Sequence, residues 1–170
     1  MKAKIKIRVA EIKDIHRITE IYNEALVASS FVQDNNVHTL EKRIEWFSQK
    51  RAEGLPVYVA ENNQGRVVGF ANLNIFLTAE YDTTVHISIY VAEGNRGLGI
   101  GKIMIKKLIE WSKENQKHTI LAGIDSENMP SIRLHESFGF VEVASFNEVI
   151  KKFGLYRNLN FYQLMLKQEE

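Results

Sequence analysis

Asn95-Arg96-Gly97-Leu98-Gly99-Ile100-Gly101-Lys102 is the stretch on which the reading of this sequence turns. It follows a β-rich run, Thr84 to Val91, and opens a helical pattern in which Met104, Ile105, Leu108, Ile109 and Ser112 fall on one stripe. Glycines at such a junction let backbone approach a ligand closely. Successive N–H groups there, added to the unpaired donors and positive dipole end of a helix, make a site for phosphate oxygens. Two common phosphate loops do not fit. A P-loop needs GxxxxGK[ST], but Gly94 to Gly99 is followed by Ile100, and Gly101-Lys102 by Ile103. A GxGxxG dinucleotide loop starting at Gly97 and Gly99 requires glycine where Lys102 stands, with an acid about 20 residues on.

Working outward, Ile5, Ile7 and Val9 alternate with charged residues as a half-buried strand does. Asp14 then precedes Ile15, Ile18, Tyr22, Ala25 and Leu26 at helical spacing and is the expected N-cap. Thr39 is the expected cap of a second helix, with Leu40, Ile44 and Phe47 on its buried face and Gly54 and Pro56 past its end. The polar segment between the helices, Ser29 to His38, reads as a binding loop.

Val57 to Glu61, Val67 to Ile75 and Thr84 to Val91 predict an antiparallel meander. Beyond the glycine loop and its helix come a strand at Thr119 to Ile124 and a helix from Pro130 to Phe138 closed by Gly139. The last two β-rich segments are Phe140 to Val149 and Phe161 to Lys167. The order βααβββαβαββ predicts an α+β fold, a mixed and mostly antiparallel sheet flanked by helices, in one domain over residues 1–170.

Composition limits the function. With 22 Lys and Arg against 21 Asp and Glu, the net charge of +1 gives no field for nucleic acid or an anionic membrane, so an anion must be bound locally. The absence of cysteine excludes a disulfide scaffold, a thiolate metal site and a cysteine nucleophile, and fits a reducing cytoplasm. MKAKIKIRVA lacks the unbroken apolar stretch of roughly 7–15 residues that a signal peptide needs. No window approaches the ~18 apolar residues of a membrane span. His16, His38 and His118 lack ligand-like spacing, so no metal is expected.

Arg96-Gly97-Leu98-Gly99-Ile100-Gly101 resembles the Q/R-x-x-G-x-G/A loop with which the GNAT acyltransferases hold the pyrophosphate of acetyl-CoA. A second block, Asn128 to Phe140, is similar to their N-x-x-S-x-x-L-x-E-x-x-G-F segment. Within that superfamily the chain looks most like the phosphinothricin and methionine-sulfone acetyltransferase group. The likeness covers nearly its whole length and includes Glu45-Trp46-Phe47, Val57 to Glu61, Ser88 to Val91, Ala122 to Asp125 and Lys152-Phe153-Gly154.

The resemblance implies acetyl transfer from acetyl-CoA to the primary amine of a small molecule, without a metal. It also implies a homodimer whose C-terminal elements meet. Acetylation of a protein N-terminus or lysine, and a CoA-binding sensor without catalysis, are the alternative readings.

Transfer to an amine at neutral pH needs a proton acceptor, a donor for the developing oxyanion and a proton for the departing sulfur. In Val85 to Val91 the odd positions are Val or Ile, so His86, Ser88 and Tyr90 share the other face. His86 stands where the resembled group carries its glutamate base, and an imidazole suits that role. His135 stands where many superfamily members carry the acid for the sulfur. The implied cofactor site comprises the strand end Ile89, Tyr90 and Val91, the loop Arg96, Gly97, Leu98, Gly99, Ile100, Gly101 and Lys102, and Asn128 with Ser131. Phe31, Tyr81 and Lys152 are the expected acceptor contacts. The loop Phe76 to Asp82 carries two acids and no arginine, where the resembled group often carries two arginines.

Overall fold

The structure, a computed structural model, describes residues 5–28, 34 and 36–166. Strand β1 (Lys6–Val9) leads through a 3-10 turn (Ile12–Asp14) into α1 (Ile15–Ala28), and α2 (Leu40–Ala52) follows. Then come β2 (Val57–Glu61), β3 (Val67–Ile75), a 3-10 turn (Ala79–Tyr81), β4 (Thr84–Val91), α3 (Ile100–Glu114) and β5 (Thr119–Asp125). The chain finishes with α4 (Met129–Glu136), β6 (Val141–Lys152) and β7 (Leu155–Met165). The order agrees with βααβββαβαββ.

One seven-stranded sheet runs β1-β2-β3-β4-β5-β7-β6. Only β4 and β5 pair in parallel, as they must when α3 carries the chain back between them. The sheet buries both faces. Along β2, Tyr58 and Ala60 point into the core shared with α3, while Val57 and Val59 point into the core under α1 and α2. Ile100, Met104, Ile105 and Leu108 of α3 are fully buried, each side chain contributing about 1.5–3 kcal/mol.

Three sequence expectations are corrected. Asp14 ends the 3-10 turn rather than capping α1. Its carboxylate accepts from the Glu11 backbone N–H at 2.8 Å and from both terminal nitrogens of Arg8 at 2.7 and 2.9 Å. In α2, Thr39 is the cap, accepting from Lys42 N–H at 3.2 Å, but Leu40 and Ile44 are each 38% exposed. The buried face is Arg43, Phe47 and Lys50, because the Arg43 guanidinium lies 4.1 Å from the Tyr22 ring centre and 4.8 Å from that of Trp46.

The last strand begins at Leu155 rather than Phe161. Phe153 and Gly154, at φ +49° and +78°, make a two-residue hairpin turn. Leu155 to Asn160 pairs with β6 across a register shift between Phe146 and Ile150, and its mixed polar composition hides it from a pattern of alternating apolar residues. Lys167 and Phe31, both part of sequence expectations, lie outside the described residues, as does most of the Ser29 to His38 loop.

Candidate active site

The parallel pair β4–β5 holds for only three positions, Thr84 to His86 against Thr119 to Leu121. Each strand continues on its other neighbour: β4 stays paired with β3 as far as Val91↔Gly69, and β5 with β7 as far as Asp125↔Leu159. The sheet therefore splits between them. Arg157 on β7 holds Asp125 at the far end of β5 through two bonds of 2.9 and 3.1 Å. The gap is a cleft of about 680 Å³, and the glycine loop and the start of α4 close around it.

The loop wall is made of backbone. Gly97 and Gly99 have φ of +77° and +81°, conformations that an L side chain adopts only under strain, and a Cβ on either meets nothing within 4 Å. Gly99 is the N-cap of α3, no side chain caps that end, and its first turn holds no acid. The starts of α2 and α4 differ: Thr39 caps α2, and Asn128 Oδ1 accepts from Ser131 N–H at 3.2 Å to cap α4. Arg96 Nε donates to Val91 O at 3.4 Å and ties the loop to the end of β4. Arg96, Gly97, Gly99, Ile100, Gly101 and Lys102 all line the cleft. Leu98 does not, and is 56% exposed.

The strand wall carries the polar side chains. Ile89, Tyr90 and Val91 line the cleft, and Tyr90 also packs inward, its ring 4.9 Å from Phe70 and 5.2 Å from Tyr22. Burial pushes the Tyr90 hydroxyl up to about 12, so it stays protonated at neutral pH. Asn74 Nδ2 donates to Ser88 Oγ at 3.2 Å. His86, at the last paired position, reaches across the split: Gly123 N–H donates to its Nε2 at 3.1 Å. A Cβ on Gly123 would lie 3.3 Å from that nitrogen, so the strand has glycine where the ring crosses it.

On α4, Asn128 and Ser131 line the same cleft, and the His135 Nδ1–H donates to Ser131 O at 2.8 Å. Burial lowers the pKa of both histidines; proximity to His135 lowers that of His86 further, and the bond to Ser131 O partly offsets the fall at His135.

Of the three expected acceptor contacts, the two among the described residues do not line this cleft. Tyr81 is 49% exposed and sets its ring edge-on to Phe76 at 5.9 Å. Lys152 is buried at the tip of the β6–β7 hairpin, where its Nζ donates to Asp34 O at 3.1 Å beside a separate cavity of about 250 Å³. Phe31 is outside the described residues. Sequence reasoning also missed the role of Gly123, which a glycine inside a β-rich run signals. Nothing local in the sequence pointed to the Asp125–Arg157 pair or to the relay from Arg43 through His38 to Asp34, with bonds of 2.8 and 2.7 Å.

Among the described residues no group of three or more His, Cys, Asp or Glu side chains is arranged to hold a metal ion. No helix among them is long and apolar enough to cross a membrane.

The pattern of the Acetyltransferase (GNAT) family matches residues 15–140. The chain belongs to that family. It is 35% identical to the L-amino acid N-acyltransferase MnaT of Escherichia coli K12, over 96% of this chain and 95% of that one. With the L-methionine sulfoximine/L-methionine sulfone acetyltransferase of Salmonella typhimurium LT2 it shares 36% identity over 95% of each chain. The fold matches the phosphinothricin acetyltransferase of Sinorhizobium meliloti, solved in complex with AcCoA, at a TM-score of 0.93 and 28% identity, covering 98% of this chain and 89% of that one. In this GNAT chain, the split between β4 and β5 and the bare start of α3 occupy one end of the sheet.

Proposed function

We propose that the protein transfers the acetyl group of acetyl-CoA to the primary amine of a small amino-acid analogue of the methionine sulfone, methionine sulfoximine or phosphinothricin kind. One observation carries this reading: an uncapped helix start behind two left-handed glycines faces a cleft opened by the parting of two parallel strands. Acetyl-CoA fits such a site, because the Ile100 to Lys102 end of α3 offers N–H donors and a positive dipole end to phosphate oxygens. Lys102 and Arg96 add charge at the same rim. Acetyl-CoA supplies an acetyl carbon activated as a thioester. Past His86 the β4 edge has no strand partner on the cleft side, so its backbone is available to hold that chain and the developing oxyanion. His86 and His135 place two imidazoles on the cleft beside that edge, and Asn128 and Ser131 shape the α4 side.

Several features support a neutral acceptor over a doubly anionic one. The charged residues lining the cleft are Arg96 and Lys102 at the cofactor loop and Asp125, which is bonded to Arg157. The loop between β3 and β4 carries Glu80 and Asp82 and no arginine. Val143, Phe146, Val149, Leu155 and Tyr156 of the β6–β7 hairpin are exposed apolar residues, which supports a homodimer through that hairpin. The lack of cysteine suits the cytoplasm.

Thiol release from acetyl-CoA over a panel of amines tests the reading. Methionine sulfone is expected to give a higher kcat/KM than phosphinothricin. Equal or higher kcat/KM for phosphinothricin overturns the acceptor preference. Acetylated peptides with no small-molecule turnover overturn the substrate class.

A further inference from the structure

We propose that His135 is the residue that takes the proton from the acceptor ammonium, and that His86, despite its position, is a positioning residue whose single lone pair is engaged by the backbone of β5. The inference rests on the acetyltransferase reading and assigns its proton path.

A neutral imidazole has one basic nitrogen. In His86 that nitrogen is identified by its partner, because a backbone N–H only donates: Nε2, 3.1 Å from Gly123 N, is the acceptor, and the ring proton is on Nδ1. A proton added at Nε2 would point an N–H at an N–H. It would also break the bond by which the ring bridges the two strands where their ladder has ended. Nδ1–H has no acceptor among the described residues and is not a buried unpaired atom, so His86 offers the cleft a donor and no base.

His135 has the opposite arrangement. A carbonyl only accepts, so the 2.8 Å contact with Ser131 O puts the ring proton on Nδ1 and the lone pair on Nε2. The ring is held edge-on to Phe140, at 5.1 Å between centres. Nε2 has no protein partner among the described residues and, likewise, is not a buried unpaired atom. Protonation at Nε2 keeps the bond to Ser131 O and strengthens it through charge. Burial keeps both rings neutral at pH 7, so the His135 lone pair is available there. The charged and titratable groups that line the cleft with His135 are His86 and Tyr90 from β4, Arg96 and Lys102 from the glycine loop and the start of α3, and Asp125 from β5, which is bonded to Arg157 from β7.

The proton balance follows. The acceptor ammonium gives one proton to His135 Nε2, directly or through one water, and the freed amine forms the C–N bond to the acetyl carbon while the C–S bond breaks. The proton on His135 passes to the departing sulfur, and the second amine proton goes to solvent, for a net release of one.

Two variants separate the roles. In His86→Gln the amide oxygen accepts from Gly123 N–H and the NH2 replaces the Nδ1 donor, but nothing titrates. The expected result is a fall in kcat of no more than about tenfold with the acidic limb of the pH profile intact. His135→Gln is expected to lower kcat by about 10²–10⁴ and to remove that limb. Nitrogen NMR of ¹⁵N-histidine protein without cofactor gives an independent readout, with a protonated Nδ1 and an unprotonated Nε2 expected at His86. An Nε2–H tautomer at His86, or loss of the acidic limb in His86→Gln with its retention in His135→Gln, overturns the assignment. Wild-type protein that binds acetyl-CoA and acetylates no amine refutes the enzyme reading and takes this inference with it.

Discussion

Gly99 and Gly123 face one cleft, the first from the start of α3 and the second from β5, and each is glycine for a different reason. At Gly99 the constraint is conformational: φ is +81° and the space around a Cβ is empty, so the residue makes a turn that leaves the α3 donors uncovered. At Gly123 the backbone is ordinary strand and the constraint is space, since His86 Nε2 lies 3.3 Å from where a Cβ would be. The loop wall is thus a main-chain turn in front of a helix start that no side chain caps. The β5 wall is a side-chain brace between two strands that have stopped pairing.

The contrast predicts separable losses. Gly99→Val is expected to give the largest. A β-branched residue at that φ costs about 1–3 kcal/mol and sits over the phosphate donors, so acetyl-CoA affinity falls by about 100-fold with the fold intact. Calorimetry on the folded variant checks it, and unchanged affinity breaks the cradle assignment.

Gly123→Ala acts on the other wall. Crowding the His86 ring by one methyl should weaken its bond to residue 123 and lower kcat by about tenfold, while acetyl-CoA affinity stays within about threefold. Steady-state kinetics beside calorimetry reads both numbers, and a fall in affinity with kcat preserved would merge the two walls into one binding surface.

Asn128→Ala gives the smallest effect and sharpens the contrast between helix ends. As the cap of α4, Asn128 contributes about 1 kcal/mol to stability, visible in urea denaturation. Its loss should leave acetyl-CoA affinity nearly unchanged. A large drop in affinity at constant stability would instead make Asn128 a cofactor ligand, as the resemblance implies.

The loop wall is legible in the sequence because its information is local. Glycine spacing, the strand ahead of it and the helical stripe after it all lie between Thr84 and Ser112, and φ > 0 is a property of single residues. The face of α2 is misread from the sequence for the converse reason. Leu40 and Ile44 have the periodicity of a buried stripe, yet Arg43 takes the interior because Tyr22 and Trp46 sandwich its guanidinium and His38 accepts from it at 2.8 Å. No spacing rule within α2 contains Tyr22. The first half of β7 is hidden in the same way, as Arg157 is drawn inward by Asp125 from 32 positions earlier.

Sequence alone determined the order of elements, the family and the glycine turn that opens α3, since each follows from short-range periodicity or from a contiguous motif. It also placed His86 and His135 among the residues of the site. Which nitrogen of each ring is free was decided only by tertiary structure. The tautomer of His86 depends on a backbone N–H that β5 brings within 3.1 Å across the split sheet, and that of His135 depends on its ring meeting the Ser131 carbonyl in α4. A hydrogen bond fixes where a proton sits, and the partner in that bond at His86 is 37 residues away in the chain.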